Sequence, residues 1–238
     1  MPVALPPEDV APGSPRHHRR VLLRYAHVEA TPRVFARFKM KIDPMFPRLA
    51  GFLKEPRRIL DIGCGYGIPS VWIQELFPDA MVFGLDPDEE RVRVAGSVFG
   101  PRGKAYAGRA PFLEALPGEA DTALILDVIH MLGDEELAQT LAALHEKLAP
   151  AGRLILRATV PTAGPRPWMG RWEALRLRRL HLKPRYRTIV ALEGLIAAAG
   201  FTLEDIRQAA HESEEFWFVA IKALPAGPAE GKPERTGA

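Results

Sequence analysis

The chain has 238 residues, of which 26% are charged, with a formal net charge of +3 and one cysteine. This length suits one α/β domain with terminal extensions, and a single cysteine excludes an internal disulfide framework. Since no apolar run approaches the roughly 18 residues that a membrane helix needs, we expect a cytoplasmic protein without a transmembrane segment.

Charge is divided unevenly along the chain. Residues 1–58 hold 12 lysines and arginines against 5 acids, and residues 158–190 hold 8 against 1, so each of these segments carries +7. Between them residues 59–157 carry −7, and residues 191–238 carry −4. The partition indicates an acidic domain bracketed by two basic segments, which bears on the substrate.

The N-terminal segment is predicted to change from disordered to helical at residue 16. Residues 1–15 contain five prolines and show no apolar periodicity, so we expect disorder there. Apolar residues then recur at helical spacing, first around Val21 and again around Phe38. We therefore predict a helical cap over residues 16–56, ahead of the first strand.

The stretch 57–86 has the pattern of a strand, a glycine loop, a helix and a second strand. Its first apolar run, at residues 59–62, is typical of a buried parallel strand, and glycines follow at positions 63, 65 and 67. Asp86 ends the second apolar run, 19 residues after the last of these glycines. Glycines let a loop approach a ligand closely, and an acid at this strand end can accept hydrogen bonds from ribose hydroxyls. The stretch predicts a nucleotide-type ligand.

The spacing of the glycines separates two classes of cofactor. A dinucleotide fingerprint, G-x-G-x-x-G, needs its third glycine at position 68, where the branched Ile68 would crowd a pyrophosphate. The spacing present is D-x-G-x-G-x-G, beginning at Asp61. This pattern resembles motif I of the class I S-adenosylmethionine-dependent methyltransferases, and the similarity to that family extends over residues 57–223.

The resemblance implies a fold and a cofactor. The fold is a doubly wound α/β structure with a seven-stranded, mostly parallel sheet, whose last strand is antiparallel and inserted between strands five and six. N-terminal helices and a helical insertion after strand five complete it. The implied cofactor is S-adenosylmethionine. The cofactor-binding residues carried over from the motifs are Asp61, Gly63, Cys64, Gly65, Gly67, Asp86, Pro87, Arg109, Ala110, Asp127 and Val128.

The adenine contacts depart from the family pattern. Many members carry an acid directly after strand three, which we place at residues 104–107. Here that position reads Gly108, Arg109 and Ala110, with no acid before Glu114. Either backbone groups at Arg109 and Ala110 hold the adenine, or Glu114 does so from the next turn.

The second half of the chain predicts the remaining elements. Strand four is expected at residues 122–128, a helix capped by Asp134 follows, and strand five is expected at residues 153–160. Residues 161–187 form a basic lid insertion in this interpretation. A helix from Thr188 to Gly200 precedes two strands at residues 201–209 and 216–223, and the tail, residues 224–238, is expected to be disordered.

Catalytic and acceptor-binding residues are assigned by position. His130 lies just past strand four, beside the switch point where open α/β sheets bind ligands, and is the candidate general base. The alternative is a loop histidine without proton transfer. Tyr25, Trp168 and Trp172 are candidate acceptor contacts from the two overhanging segments, with the pair Lys39 and Lys41 a further possibility. The alternative is that Tyr25 is half-buried and both lysines are solvated. No cluster of residues has metal-ligand spacing.

The acceptor is inferred from the two basic segments. A cationic roof with the apolar side chains of Trp168 and Trp172 favours an anionic, amphipathic acceptor, either a small molecule or one linked to a lipid or carrier. RNA is the competing substrate, although the end of strand four lacks the Asn/Asp-Pro-Pro-aromatic signature of enzymes that methylate amino groups of nucleic acids. A non-catalytic protein that binds S-adenosylmethionine is the third interpretation.

Overall fold

The computed structural model describes residues 10–161, 184–210 and 213–223. Within these ranges the chain forms seven α-helices and seven strands, with helices packed on both faces of the sheet. The helices are α1 (Pro15–Arg24), α2 (Ala30–Ile42), α3 (Met45–Phe52), α4 (Ile68–Leu76), α5 (Glu89–Phe99), α6 (Asp134–Lys147) and α7 (Ile189–Ala198). The strands are β1 (Arg58–Ile62), β2 (Met81–Asp86), β3 (Gly103–Ala107), β4 (Ala120–Leu126), β5 (Leu148–Thr159), β6 (Phe201–Gln208) and β7 (Glu215–Lys222).

The seven strands form one sheet in the order β3-β2-β1-β4-β5-β7-β6. Strands β1 to β5 pair in parallel, whereas β7 is antiparallel to both of its neighbours, β5 and β6. The predicted topology is therefore confirmed, including the insertion of the last strand between the fifth and the sixth. Because β1 and β4 are adjacent but lead in opposite directions across the sheet, their carboxyl ends form the switch point.

Alternate residues of the central strands face two separate apolar cores. Ile59 and Leu124 pack on one side with α1, α3, α4 and α5, while Leu60 and Ile125 pack on the other with α6 and α7. A sheet covered on both faces requires this continuous apolar composition. No helix in the described part of the chain is long and apolar enough to cross a membrane.

The N-terminal helices are tied to the sheet domain by buried polar contacts. Ser14 caps α1 by accepting a hydrogen bond from the His17 amide at 3.2 Å, so ordered structure begins before the predicted boundary at residue 16. The ring of His17 lies 2.9 Å from the carbonyl oxygen of Trp72 in α4, and Arg20 pairs with Glu75 at 2.8 Å. These contacts fix α1 against the helix that follows the glycine loop.

Two predicted boundaries in the second half are corrected. Strand β4 ends at Leu126 and not at residue 128, because Asp127 has φ +59° and leaves the extended conformation. Strand β5 begins at Leu148, directly after α6, so it is longer than predicted. Helix α6 is capped by Gly133, whose amide donates to Glu136 at 2.7 Å, while Asp134 is its first residue.

The predicted lid insertion lies mostly outside the described residues. Trp168 and Trp172 fall in this part of the chain, as do most of its arginines. Residues 184–188 are described, have no regular secondary structure and lead into α7. Their contacts matter for the site.

Candidate cofactor and acceptor site

The glycine loop is held against the end of β2. The amides of Gly63 and Cys64 both donate to the carbonyl oxygen of Leu85, at 2.7 and 3.1 Å, and the amide of Gly65 donates to the Asp86 carboxylate at 2.8 Å. Three consecutive N–H groups therefore point at one strand end. This arrangement turns the chain sharply between β1 and α4.

Two of the three loop glycines are required by packing inside the protein. A Cβ at Gly63, where φ is +74°, would lie 2.4 Å from a methyl group of Val128. A Cβ at Gly67, where φ is +75°, would lie 2.5 Å from the ring of Phe99. Both positions therefore exclude side chains for reasons that involve no ligand.

Gly65 differs from its two neighbours in the motif. Its φ is +54°, but a Cβ built there meets nothing within 4 Å. The protein leaves open space beside this backbone, at the carboxyl edge of the sheet next to Asp86. This is the geometry expected where a ligand lies against the loop.

Asp86 is buried and oriented by two backbone amides. One carboxylate oxygen accepts the Gly65 amide, and the other accepts the Asp88 amide at 3.0 Å. A carboxylate offers about four lone-pair positions, so each oxygen can accept one more hydrogen bond. Asp86 is thus prepared to accept a pair of hydroxyl groups, while Pro87 beside it is exposed.

Asp61 lies beneath the loop, where water is excluded. Only 2% of it is exposed, and its carboxylate accepts a hydrogen bond from the Ser70 hydroxyl at 2.6 Å. Burial is the main cause that raises the pKa of Asp61 to about 6; the Ser70 hydrogen bond acts to lower this pKa, and the negative charge of Asp86 acts to raise it. Ser70, which the sequence analysis missed, follows the motif by only three residues.

The side chains of two predicted ligand contacts, Tyr25 and Cys64, are buried in the protein interior. Tyr25 is fully buried, and its hydroxyl donates to the carbonyl oxygen of Tyr66 at 2.8 Å, so the predicted acceptor contact is corrected to a support for the loop from behind. The Cys64 sulfur packs against Gly84 of β2, and burial raises the pKa of its thiol. The side chain of Cys64 therefore packs against β2, and its backbone amide takes part in the hydrogen bonds that hold the loop.

The residues predicted to hold adenine follow β3, which is the neighbour of β2. Ala110 is buried, whereas the Arg109 side chain is 61% exposed and pairs with Glu136 at 3.2 Å. Arg109 thereby connects the end of β3 to the first turn of α6, the helix that follows His130. Glu114, the alternative adenine contact, is exposed.

A buried charge network that the sequence analysis missed surrounds Asp127. Arg157 of β5 donates to Asp127 at 2.9 Å and to Asp43 at 3.1 Å, and Lys39 lies 2.9 Å from Asp43 and 4.0 Å from Asp127. Burial acts to raise the pKa of Asp43, but Lys39 and Arg157 outweigh it, so the pKa is lowered. The network joins α2 to the carboxyl ends of β4 and β5.

The loop that carries His130 is also fixed by an arginine that sequence reasoning did not single out. Arg187 is buried and donates to the carbonyl oxygens of Ile129 and Leu132, at 2.9 and 2.7 Å, and to Asp134 at 2.8 Å. These acceptors flank His130 on both sides. Residues 129–132 are therefore held in one conformation.

The ring and backbone of His130 both contact the segment that precedes α7. Tyr186 stacks on the His130 ring with centroids 6.0 Å apart, and the Arg185 amide donates to the His130 carbonyl oxygen at 2.8 Å. His130 itself is 9% exposed. The end of the predicted lid thus meets the predicted base at the carboxyl end of β4.

These positions place the candidate residues in one row along the sheet. Asp61 lies near the end of β1 and the glycine loop follows it, Asp86 ends β2, Arg109 and Ala110 follow β3, and residues 127–130 follow β4. The order β3-β2-β1-β4 makes them neighbours at one edge. Within the described residues, no group of three or more histidines, cysteines or acids is placed to hold a metal ion.

Comparison with known families agrees with this geometry. A family model described as a methyltransferase domain matches residues 34–206, which is more than half of the chain. The chain belongs to this methyltransferase-domain family. The resemblance to class I S-adenosylmethionine-dependent methyltransferases that motif I predicted is confirmed at the level of family and fold.

Three proteins that resemble this chain share between 16% and 27% of its residues over the matched regions. The phenazine O-methyltransferase PhzM of Lysobacter antibioticus is 27% identical over 156 residues, covering 63% of this chain and 44% of that protein. The solved structure of the pyocyanin biosynthetic protein PhzM has a TM-score of 0.62 at 24% identity, covering 84% of this chain and 60% of that one. Human N-acetylserotonin methyltransferase, solved in complex with S-adenosylmethionine, has a TM-score of 0.62 at 16% identity, covering 88% and 57%.

The methyltransferase domain described here is shorter than these proteins. It spans less than half of the Lysobacter protein and about three-fifths of the two solved chains. The two structural likenesses are below 25% identity, so they establish the fold alone.

Gly65→Ala tests whether the open space beside the loop belongs to a ligand. The variant is expected to fold, with a strain of about 1–2 kcal/mol from its left-handed backbone, and to lose at least tenfold in affinity for S-adenosylmethionine by calorimetry. Gly13→Ala is the matched control, because Gly13 has φ +72° and its Cβ would meet only Pro47 at an ordinary 3.4 Å. Affinity within twofold of the wild type in Gly65→Ala would place the ligand elsewhere.

Asp61→Asn tests the raised pKa of the buried carboxyl. Since the ordinary value is 3.8 and the folded value about 6, the folded protein binds this proton more tightly than the unfolded chain. The contribution of Asp61 to the free energy of unfolding therefore falls as pH rises from 4 to 6, by roughly 3 kcal/mol. We expect the free energy of unfolding of Asp61→Asn, measured with urea and without cofactor, to rise relative to that of the wild type as the pH increases from 4 to 6. A difference between the two proteins that is independent of pH would show that Asp61 titrates normally.

Proposed function

We propose that this chain is an S-adenosylmethionine-dependent methyltransferase that acts on a small-molecule hydroxyl acceptor. The observation that carries the proposal is the open space beside Gly65, bounded by an Asp86 carboxylate that has room for two more hydrogen bonds. Family membership and the fold support it. The whole protein's activity is part of the proposal, because the chain matches only part of its relatives.

The residues present fit this cofactor. Asp86 would accept the two ribose hydroxyls, the backbone at Gly65 would lie against the ligand, and backbone groups at Arg109 and Ala110 would flank the adenine from the end of β3. Asp127 and Val128 would border the methionine part from the end of β4. The bound cofactor would supply a methyl group on a positively charged sulfur, which is transferred by direct displacement.

The chain's own part in the transfer is mainly positioning. The charge network around Arg157 and the hydrogen bonds of Arg187 fix the two ends of the loop after β4, so an acceptor would meet a rigid edge. We propose that the imidazole of His130 accepts the hydroxyl proton as the acceptor oxygen bonds to the methyl carbon and the carbon–sulfur bond breaks. An O-methyltransferase among the relatives supports a hydroxyl acceptor.

The acceptor is further proposed to be anionic and amphipathic, small or linked to a lipid or carrier. The net charge of +7 on residues 1–58 and the tryptophans at positions 168 and 172 support this. Because the same positive charge would also attract RNA, an RNA acceptor is the alternative. A third alternative is a non-catalytic protein that binds S-adenosylmethionine at the same site. Production of S-adenosylhomocysteine with an aromatic hydroxy acid, but not with RNA, is the expected result in a cytoplasmic extract.

Asp86→Ala tests the cofactor assignment directly. Each charge-assisted hydrogen bond contributes about 1.5–3 kcal/mol of binding free energy, so losing two of them should raise the dissociation constant for S-adenosylmethionine more than tenfold. Asp88→Asn is the matched control, because Asp88 lies two residues away, its side chain caps α5 and pairs with Arg91, and its backbone amide, which donates to Asp86, is unchanged by the substitution. Wild-type protein that binds NAD and ignores S-adenosylmethionine would overturn the proposed function.

His130→Gln tests the base. With an acceptor of confirmed turnover, the maximal rate is expected to fall by roughly 10²–10⁴-fold, while cofactor affinity is unchanged, because general base catalysis contributes about that factor. The wild-type rate should rise with pH through one ionisation that the variant lacks. If the variant keeps that ionisation, or loses less than threefold in rate, His130 only lines the pocket.

A further inference from the structure

The outer surface of α1 and α2 is both apolar and positively charged. Five large apolar side chains stand between 40% and 64% exposed there: Leu23, Val34, Phe35, Phe38 and Ile42. Exposed apolar patches rimmed by polar groups mark interaction sites.

The same surface is strongly cationic. Residues 15–42 hold eight lysines and arginines and one acid, Glu29, which pairs with Arg93 at 2.6 Å. Arg19, Arg33 and Arg37 are exposed, and no ion pair is found for them among the described residues. Positive charge is thus left without compensation on this face.

The apolar and cationic groups share one continuous surface. A cleft of about 720 Å³ between α1 and α2 is lined by Arg19, Arg33 and Arg37 together with Leu22, Leu23 and Val34. Val34 also lines an adjoining hollow with Phe35 and Phe38. Apolar side chains therefore stand among arginines over the length of the helix pair.

We propose that this α1–α2 face docks on an anionic lipid bilayer, with its apolar side chains in the interface and its arginines at the phosphate level. Amphipathic helices rich in Lys and Arg, with Phe and Leu on the other part of the surface, bind membrane surfaces by these two contributions. The proposal concerns a surface outside the cofactor site and does not depend on the proposed methyl transfer.

Other occupants fit the charge and the apolar groups less well. A second copy of the chain meeting this face about a twofold axis would bring arginines against arginines, which repel. A nucleic acid would neutralise the arginines but would leave Leu23, Val34 and Ile42 without a partner of their own kind. An anionic bilayer satisfies both.

The surface is also continuous with the site. The ring of Phe35 contacts that of Tyr66, in the glycine loop, with centroids 5.8 Å apart. Lys39, on the same helix, reaches the network around Asp127. A protein docked by this face would hold the mouth of its site close to the bilayer, where amphipathic acceptors collect.

The experiment measures sedimentation of the full chain with vesicles, without cofactor. The probes are vesicles of phosphatidylcholine alone and of phosphatidylcholine with 30% phosphatidylglycerol, at 0.1 and 0.5 M salt. Binding is expected only with the anionic vesicles, and it should weaken at high salt. Arg33→Gln with Arg37→Gln should weaken it by roughly thirtyfold, because each basic residue near such a surface contributes about a fivefold factor.

Phe38→Ala tests the apolar contribution and should weaken binding on the order of tenfold, since its ring would otherwise be buried in the interface. Phe112→Ala is its control, because Phe112 is 65% exposed elsewhere on the molecule. Lys54→Gln with Arg57→Gln controls for the lost charge, because both side chains are exposed and lie outside α1 and α2. All four variants alter exposed side chains, and each should keep the wild-type melting temperature and cofactor affinity.

Three outcomes would overturn the proposal. The first is no sedimentation with anionic vesicles at 0.1 M salt. The second is equal weakening by the control variants, which would mean that only net charge matters. The third is a concentration-dependent dimer or an RNA complex that depends on Arg33 and Arg37 while vesicles are not bound.

Discussion

Three consecutive peptide N–H groups, those of residues 63, 64 and 65, are accepted by the end of β2, and the site depends on this arrangement. Because the Leu85 carbonyl oxygen takes two of them and the Asp86 carboxylate takes the third, the loop and the acid orient each other. Each oxygen of the Asp86 carboxylate accepts one backbone amide and keeps the capacity for one further hydrogen bond, next to the open space beside Gly65. A ligand that used this capacity would meet a loop already in its bound shape, which lowers the entropy lost on binding.

Two buried arginines fix the other half of the site. Arg157 holds Asp127 at the end of β4, and Arg187 holds the carbonyl groups on both sides of His130. Removing one member of a buried, hydrogen-bonded charge pair typically destabilises a protein by about 3–5 kcal/mol, whereas an apolar replacement of the whole group can be neutral. The two arginines therefore contribute mainly by fixing positions, because each forms hydrogen bonds to a short irregular loop that the ladder of the sheet does not hold.

What the sequence predicts well is local. Motif I and the position of Asp86 follow from spacing within thirty residues, whereas the strand order follows only from the resemblance to the family, and the structure confirms that order. Tyr25 was placed wrongly because helical periodicity shows that a residue is half-buried but not which neighbour covers it. The network of Lys39, Asp43, Asp127 and Arg157 joins residues up to 118 positions apart. Charge totals over segments contain no information on such pairs, so Arg187 was counted only as part of a basic stretch.

Three sides of helix α2 have different environments: the domain core, the charge network and solvent. Pro32, Ala36 and Met40 recur every four residues and are buried, so they attach the helix to the domain. Lys39 and Asp43, the residue directly after the helix, lie toward β4 and β5 and enter the charge network. Val34 and Phe38 lie on the outer face, opposite the buried row, and are exposed. Helix α2 therefore contacts the charge network beside the cofactor site on one flank and presents exposed apolar side chains on its outer face, an arrangement that neither motif I nor the glycine loop would reveal.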